Sequence, residues 1–233
     1  MENINQSQEM KGGKKTDKEF VVQIVIIAAL ALLLVYNFGK ISSNSGATTG
    51  SSITGAATGI GIVSAQEIIP KGVPAVYGSE LGVKYNDVSV DNPQLADATI
   101  AKLTQYEDSE LSSDLMSRYI KIGSSISCEY CCGAQALIFS NGERACGCAH
   151  SFAMRGLAKY LLLNHPDMSD DQILNELGKW KVLFFPGVHQ QKAEALKAQG
   201  IDTTSYINLA SNKYRGAEKG QASSGGSAMV GGC

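Results

Sequence analysis

Cysteine spacing constrains this chain more than any other feature. Five of its six cysteines fall within twenty-one residues, as Cys128-Glu129-Tyr130-Cys131-Cys132, a thirteen-residue spacer, then Cys146-Gly147-Cys148-Ala149-His150. A CxxCC knuckle followed by CxCxH brings four or more soft ligands within reach of one point, the spacing expected of a metal site. The folded part is long enough to bury a core of its own, so the cysteines are not required merely to staple a miniature scaffold.

Two stretches frame that part. Residues 20–38, FVVQIVIIAALALLLVYNF, carry no charge and have the length of a helix crossing a hydrocarbon layer of about 30 Å. Lys11, Lys14, Lys15 and Lys18 precede this run and only Lys40 follows it closely. The positive-inside bias therefore predicts a single-pass protein of the cell membrane, with residues 1–19 as a cytoplasmic tail and everything after Lys40 extracytoplasmic. Residues 41–61, rich in Gly, Ser, Thr and Ala, read as a tether. A folded domain is expected over 62–218, and the composition of 219–233 suggests a flexible tail ending in Cys233. The formal net charge of −2, with few clustered basic residues, gives no footprint for nucleic acid.

The fold class expected is α+β, mainly helical, with a β-hairpin beside the cysteines. Asn92-Pro93 supplies an N-cap and first helical position, followed by Leu95, Ile100 and Leu103 on one face. A second helix is expected from Ser113, burying Leu115, Met116, Tyr119 and Ile120. Between the cysteine groups, Asn141-Gly142 lies between two short apolar runs, the strongest local signal for a hairpin. His150 or Ser151 then caps a helix to about Asn164, which His165-Pro166 ends. Ser169-Asp170-Asp171-Gln172 is a capping box, with Ile173, Leu177 and Trp180 at helical spacing behind it. A last helix spans about Gln190 to Gln199, stopped by Gly200.

Of the sulfurs, Cys128, Cys131, Cys146 and Cys148 form the first choice of a four-coordinate set, with His150 and Cys132 in reserve. Zinc is the preferred ion and copper the alternative, because thiolates suit both. Cys132 makes a fifth thiol, so a disulfide-stapled interaction module without metal stays open, as does thiol redox chemistry. A catalytic role would rest on Cys128 and Cys131 alone. No serine-histidine-acid constellation, phosphate-binding glycine loop or HExxH pair is present. His165 and His189 have no Cys or His at ligand spacing.

The knuckle, spacer and helix-start ligands over Ser127 to Pro166 resemble the treble-clef arrangement of structural zinc sites. Cys128-Glu129-Tyr130-Cys131, the helix carrying Met154-Arg155 and the capping box at Ser169 resemble the membrane-anchored thiol reductases of cytochrome c maturation, which implies a thiol-disulfide oxidoreductase acting on exported proteins. The cysteine run is also similar to extracytoplasmic copper-binding proteins with a Pro-Cys-Tyr-Cys-Gly motif and a later Cys-Gly-x-Cys at a helix start, which implies copper handling.

Overall fold

The computed structural model describes residues 21–30, 65–220 and 229–232. The chain divides into a unit ending at Ala56 and a unit from Ala57 to Cys233. In the first unit the described residues form one helix, α1, over residues 21–30. Among the described residues no helix is long and apolar enough to cross a membrane. This corrects the single-pass span expected over 20–38, and with it the membrane as a partner and the cell-membrane location with an extracytoplasmic domain. Residues 31–38 and the expected tether lie outside the described residues.

The second unit is mainly helical. Its elements are the short turns α2 (Ala65–Ile68) and α3 (Gly78–Leu81), then α4 (Pro93–Thr104), α5 (Ser113–Ser124), the single turn α6 (Glu129–Cys132), α7 (Ala149–Asn164), α8 (Asp170–Phe184), α9 (Pro186–Ala198) and the short α10 (Tyr206–Ala210). The starts are fixed locally. Asn92 accepts a hydrogen bond from the Leu95 amide, and Ser112 caps α5 through the Leu115 amide. Ser169 and Gln172 form a reciprocal capping box at α8, satisfying two otherwise orphaned amides. α9 begins at Pro186, four residues before the sequence suggests, because proline costs nothing at a first helical position.

Helix α7 is the central element, burying His150, Ser151, Ala153, Met154, Leu157, Leu161 and Leu162 and packing on α4, α5 and α8. Its contact with α4 depends on Gly156, where an added Cβ would lie 2.2 Å from the Leu103 carbonyl oxygen. Behind it, Trp180 is fully buried and donates from Nε1 to the Tyr77 hydroxyl at 2.7 Å. Tyr77 and Tyr85 in turn both donate to Glu176. These bonds fasten the irregular 70–90 segment onto α8.

The expected hairpin is corrected as well. Among the described residues the spacer makes only one isolated antiparallel bridge, Ile138 to Arg144, and no named strand. The chain does reverse at Asn141-Gly142, but the Gly142 amide bonds to the Phe139 carbonyl and the Phe139 amide to the Glu143 carbonyl. Gly142, at φ 84°, thus follows the central turn residues instead of being one of them. That is the geometry of a bulged three-residue loop. Beyond Arg144 the next residues serve the cysteine site, leaving no length for a ladder. The α+β class accordingly gives way to a mainly helical fold with almost no β-structure among the described residues.

Candidate metal centre

Two elements carry the cysteines. Cys128 directly precedes α6 and is fully buried. The segment leading to it is held from the C-terminal side: Ile126 bridges to Ser211, Asn212 donates from its amide to the Ser125 carbonyl, and Arg215 donates to the Ser127 hydroxyl and the Ala134 carbonyl. Gly133 ends the turn at φ 69°, a left-handed conformation that favours glycine. Neither Asn212 nor Arg215 has any sequence mark of this clamping role.

On the other side, Cys148 is the N-cap of α7, and its sulfur accepts a hydrogen bond from the Ser151 amide at 3.4 Å. Sulfur as N-cap places a soft anion where the helix has exposed amides and the positive end of its dipole. The Cys128 and Cys148 sulfurs are 3.2 Å apart. Hydrogen bonding with Cys128 first, then with His150 and Ser151, outweighs burial and holds the Cys148 thiol well below the ordinary thiol range. Cys128 is pushed up, first because its proton is the one the pair retains and second because it is buried. The two shifts run in opposite directions, so the pair favours negative charge on Cys148 over Cys128.

His150 sits at the second position of α7, fully buried against the rings of Phe184 and Phe185 at 4.7 and 5.0 Å. Its Nε2 lies 2.8 Å from the Val230 carbonyl oxygen, which can only accept. Nε2 therefore carries the hydrogen in this contact, and the ring also bonds to Cys148. A ring nitrogen that donates to a backbone carbonyl is the outer support a metal-binding histidine ordinarily has. Val230 is itself buried and bonded through its amide to Phe184, although the glycine-rich composition around it reads as tail.

The ligand atoms of Cys128, Cys131, Cys148 and His150 all lie within 4.8 Å of one another. Zinc–sulfur bonds of 2.3 Å at tetrahedral angles set sulfurs about 3.8 Å apart, so an ion would spread the Cys128–Cys148 pair by a few tenths of an ångström. Cys146, named in the first-choice set, is not in this group. It forms a disulfide with Cys132, and the reserve ligand His150 stands where Cys146 was expected. Cys131 is half-buried and also disulfide-bonded. The two free thiols, Cys128 and Cys148, are therefore not the Cys128–Cys131 pair that the CxxC spacing suggests. A second group, Cys132, Cys146 and Cys148, likewise falls within 4.8 Å, so Cys148 belongs to both.

Behind the centre, Arg155 is fully buried and donates to the carbonyls of Leu137 and Cys146 at 3.1 and 2.9 Å and to Glu107 at 2.6 Å. Lys181, buried, donates to Glu129 at 3.2 Å and to the Ala210 carbonyl; burial lowers its pKa to about 8. His165 is remote from the cysteines and bonds to Glu80. His189 is fully buried within α9, where Nδ1 donates to the Phe185 carbonyl and burial holds the ring neutral. No protein-family model matches the chain, and no curated protein or solved structure matches it either.

Proposed function

We propose that this protein binds a soft metal ion, zinc by preference and copper as the alternative, through Cys128, Cys148 and His150, with Cys131 completing the set once its disulfide is reduced. The observation that carries this reading is His150. Its outer nitrogen is tied to the Val230 carbonyl, and its ring sits beside two sulfurs at the mouth of a helix dipole. A plain disulfide staple needs no imidazole so arranged. The amides at a helix start favour the thiolate form that such ions require, against the opposing effect of burial. The resemblance of the knuckle and helix start to treble-clef zinc sites agrees with a structural or storage role for the ion.

The test is metal content. Full-length protein is reduced without oxygen, loaded with zinc, freed of excess and analysed for bound metal beside C148S and H150A. Stoichiometric zinc in the wild type, lost in C148S and weakened in H150A, is expected. Absence of stoichiometric zinc or copper in the wild type overturns the proposal.

The 3.2 Å contact of Cys128 with Cys148 supports a second reading, in which this pair is a dithiol that closes to a disulfide and exchanges with other thiols. Intact-mass measurement after alkylation separates the two. A Cys128–Cys148 bond that forms under mild oxidation and is unaffected by zinc favours the second reading; protection of both thiols by zinc favours the first.

A further inference from the structure

The second sulfur group is not explained by a single ion at the first. Cys132, Cys146 and Cys148 have their sulfurs within 4.8 Å, yet two of the three are joined to each other. That disulfide faces an open cavity of about 480 Å³, bordered by Gly133, Gln135, Phe139 and Gly147 as well as by the two half-cystines. Cys132 is exposed, and nothing lies within 4 Å of where a Cβ would stand on either Gly133 or Gly147. A hydrated ion or a small reductant therefore approaches the Cys132–Cys146 disulfide from this cavity, with Cys148 buried behind it. The first group is different in kind, with Cys128, Cys148 and His150 closed inside the helices.

From this geometry we infer that the Cys132–Cys146 disulfide is a latch on a second metal position, and that its reduction converts a one-ion site into a two-ion cluster bridged by the Cys148 sulfur. The inference rests on the metal-binding reading above. A thiolate has lone pairs enough to bridge two soft ions, and Cys148 is the one sulfur common to both groups. In the latched state the Cys132 and Cys146 sulfurs are spent on their mutual bond, and a disulfide sulfur carries no thiolate charge to offer a cation. Opening it takes two electrons. With a phosphine as reductant, phosphorus attacks one sulfur, the S–S bond breaks, and water delivers the oxygen of the phosphine oxide and the two protons of the released thiols. The incoming ion then displaces those protons to solvent and takes Cys132, Cys146 and the shared Cys148. Such a three-sulfur position suits copper(I), or zinc with a water as fourth ligand.

Native mass spectrometry of the full chain, loaded with zinc after anaerobic phosphine reduction, tests this directly. Reduced wild type is expected to hold two ions, reduced C132S/C146S one, and reduced C148S none. The single ion retained by the double variant also reports that its inner site is folded. If reduced wild type and the double variant both hold one ion, the latch is wrong and the single-ion proposal survives. If neither holds any, both proposals fall. Two ions in the double variant, or any stoichiometric ion in C148S, overturns the shared-sulfur arrangement.

Discussion

Replacing Arg155 by methionine tests how the fold supports the centre. Arg155 is fully buried and Glu107 is 4% exposed, so the bond between them at 2.6 Å is shielded from water. Breaking such a pair from one side costs about 3–5 kcal/mol, since the surviving charge remains desolvated. Here Arg144 also bonds to Glu107, which moves the ionic loss toward the lower end. Against that, the Cys146 carbonyl loses its donor, at about 1 kcal/mol, and the Leu137 carbonyl loses one of two, keeping the Ala145 amide. Methionine retains most of the apolar stem, so little cavity opens. The sum is a loss of about 4–5 kcal/mol in R155M. For a unit of this size, at roughly 2–4 °C per kcal/mol, Tm should fall by about 10–15 °C. Lysine should recover only part of this, because it keeps the charge but not the planar fork that serves Glu107 and two carbonyls together. Urea titration of wild type, R155M and R155K, scored by midpoint at unchanged slope, gives the numbers. A loss below 1 kcal/mol in R155M would mean that the buried network does not hold the Cys146 segment to α7, and the reasoning fails.

Further expectations follow from the same packing. G156A should lose at least about 2 kcal/mol, because the new methyl meets the Leu103 carbonyl at 2.2 Å and α4 must move away from α7; a thermal melt indistinguishable from wild type would contradict this close approach. Asp170 is partly buried, which raises its pKa, but hydrogen bonds from Lys121 and Arg118 outweigh this and lower it overall. Its stabilising contribution is then fully present above the unfolded value of about 3.9 and disappears as pH falls through the lower folded value. D170N should therefore be less stable than wild type at neutral pH and close to it in strong acid, as read from denaturation midpoints across pH 2–6; a pH-independent difference would refute the assignment. W180F should cost about 1–3 kcal/mol by removing the donor to the buried Tyr77 hydroxyl, and equal stability would show that this bond contributes nothing.

The helices were legible where their signals are local. Asn92-Pro93, Ser169 with Gln172, and Gly200 each act within one turn, so they announce α4, α8 and the end of α9 without reference to the rest of the chain. The Asn-Gly turn is equally local and does form. Whether a ladder grows from it depends on what Ile138 and Arg144 meet next, and here they meet the cysteine loop and the Arg155 network.

At the site, cysteine density was legible and the sorting of the sulfurs was not. An N-cap side chain folds back toward the first-turn amides, so Cys148 as cap turns its sulfur inward beside Cys128 and carries His150 with it. Cys146, two residues earlier, stays with Cys132 instead. Naming His150 or Ser151 as the cap displaces that turn by two or three residues, enough to expect Cys146 where the structure brings His150. Val230 and Arg215 reach the centre from more than sixty residues away, through contacts that no spacing rule encodes.

X-ray absorption at the metal edge of the reduced, zinc-loaded chain tests the central claim most directly, since it counts the atoms around the ion. The account predicts a shell dominated by sulfur at about 2.3 Å, with an imidazole nitrogen at about 2.0 Å that disappears in H150A. A shell of oxygen and nitrogen without sulfur, or a nitrogen contribution unchanged by H150A, would contradict it.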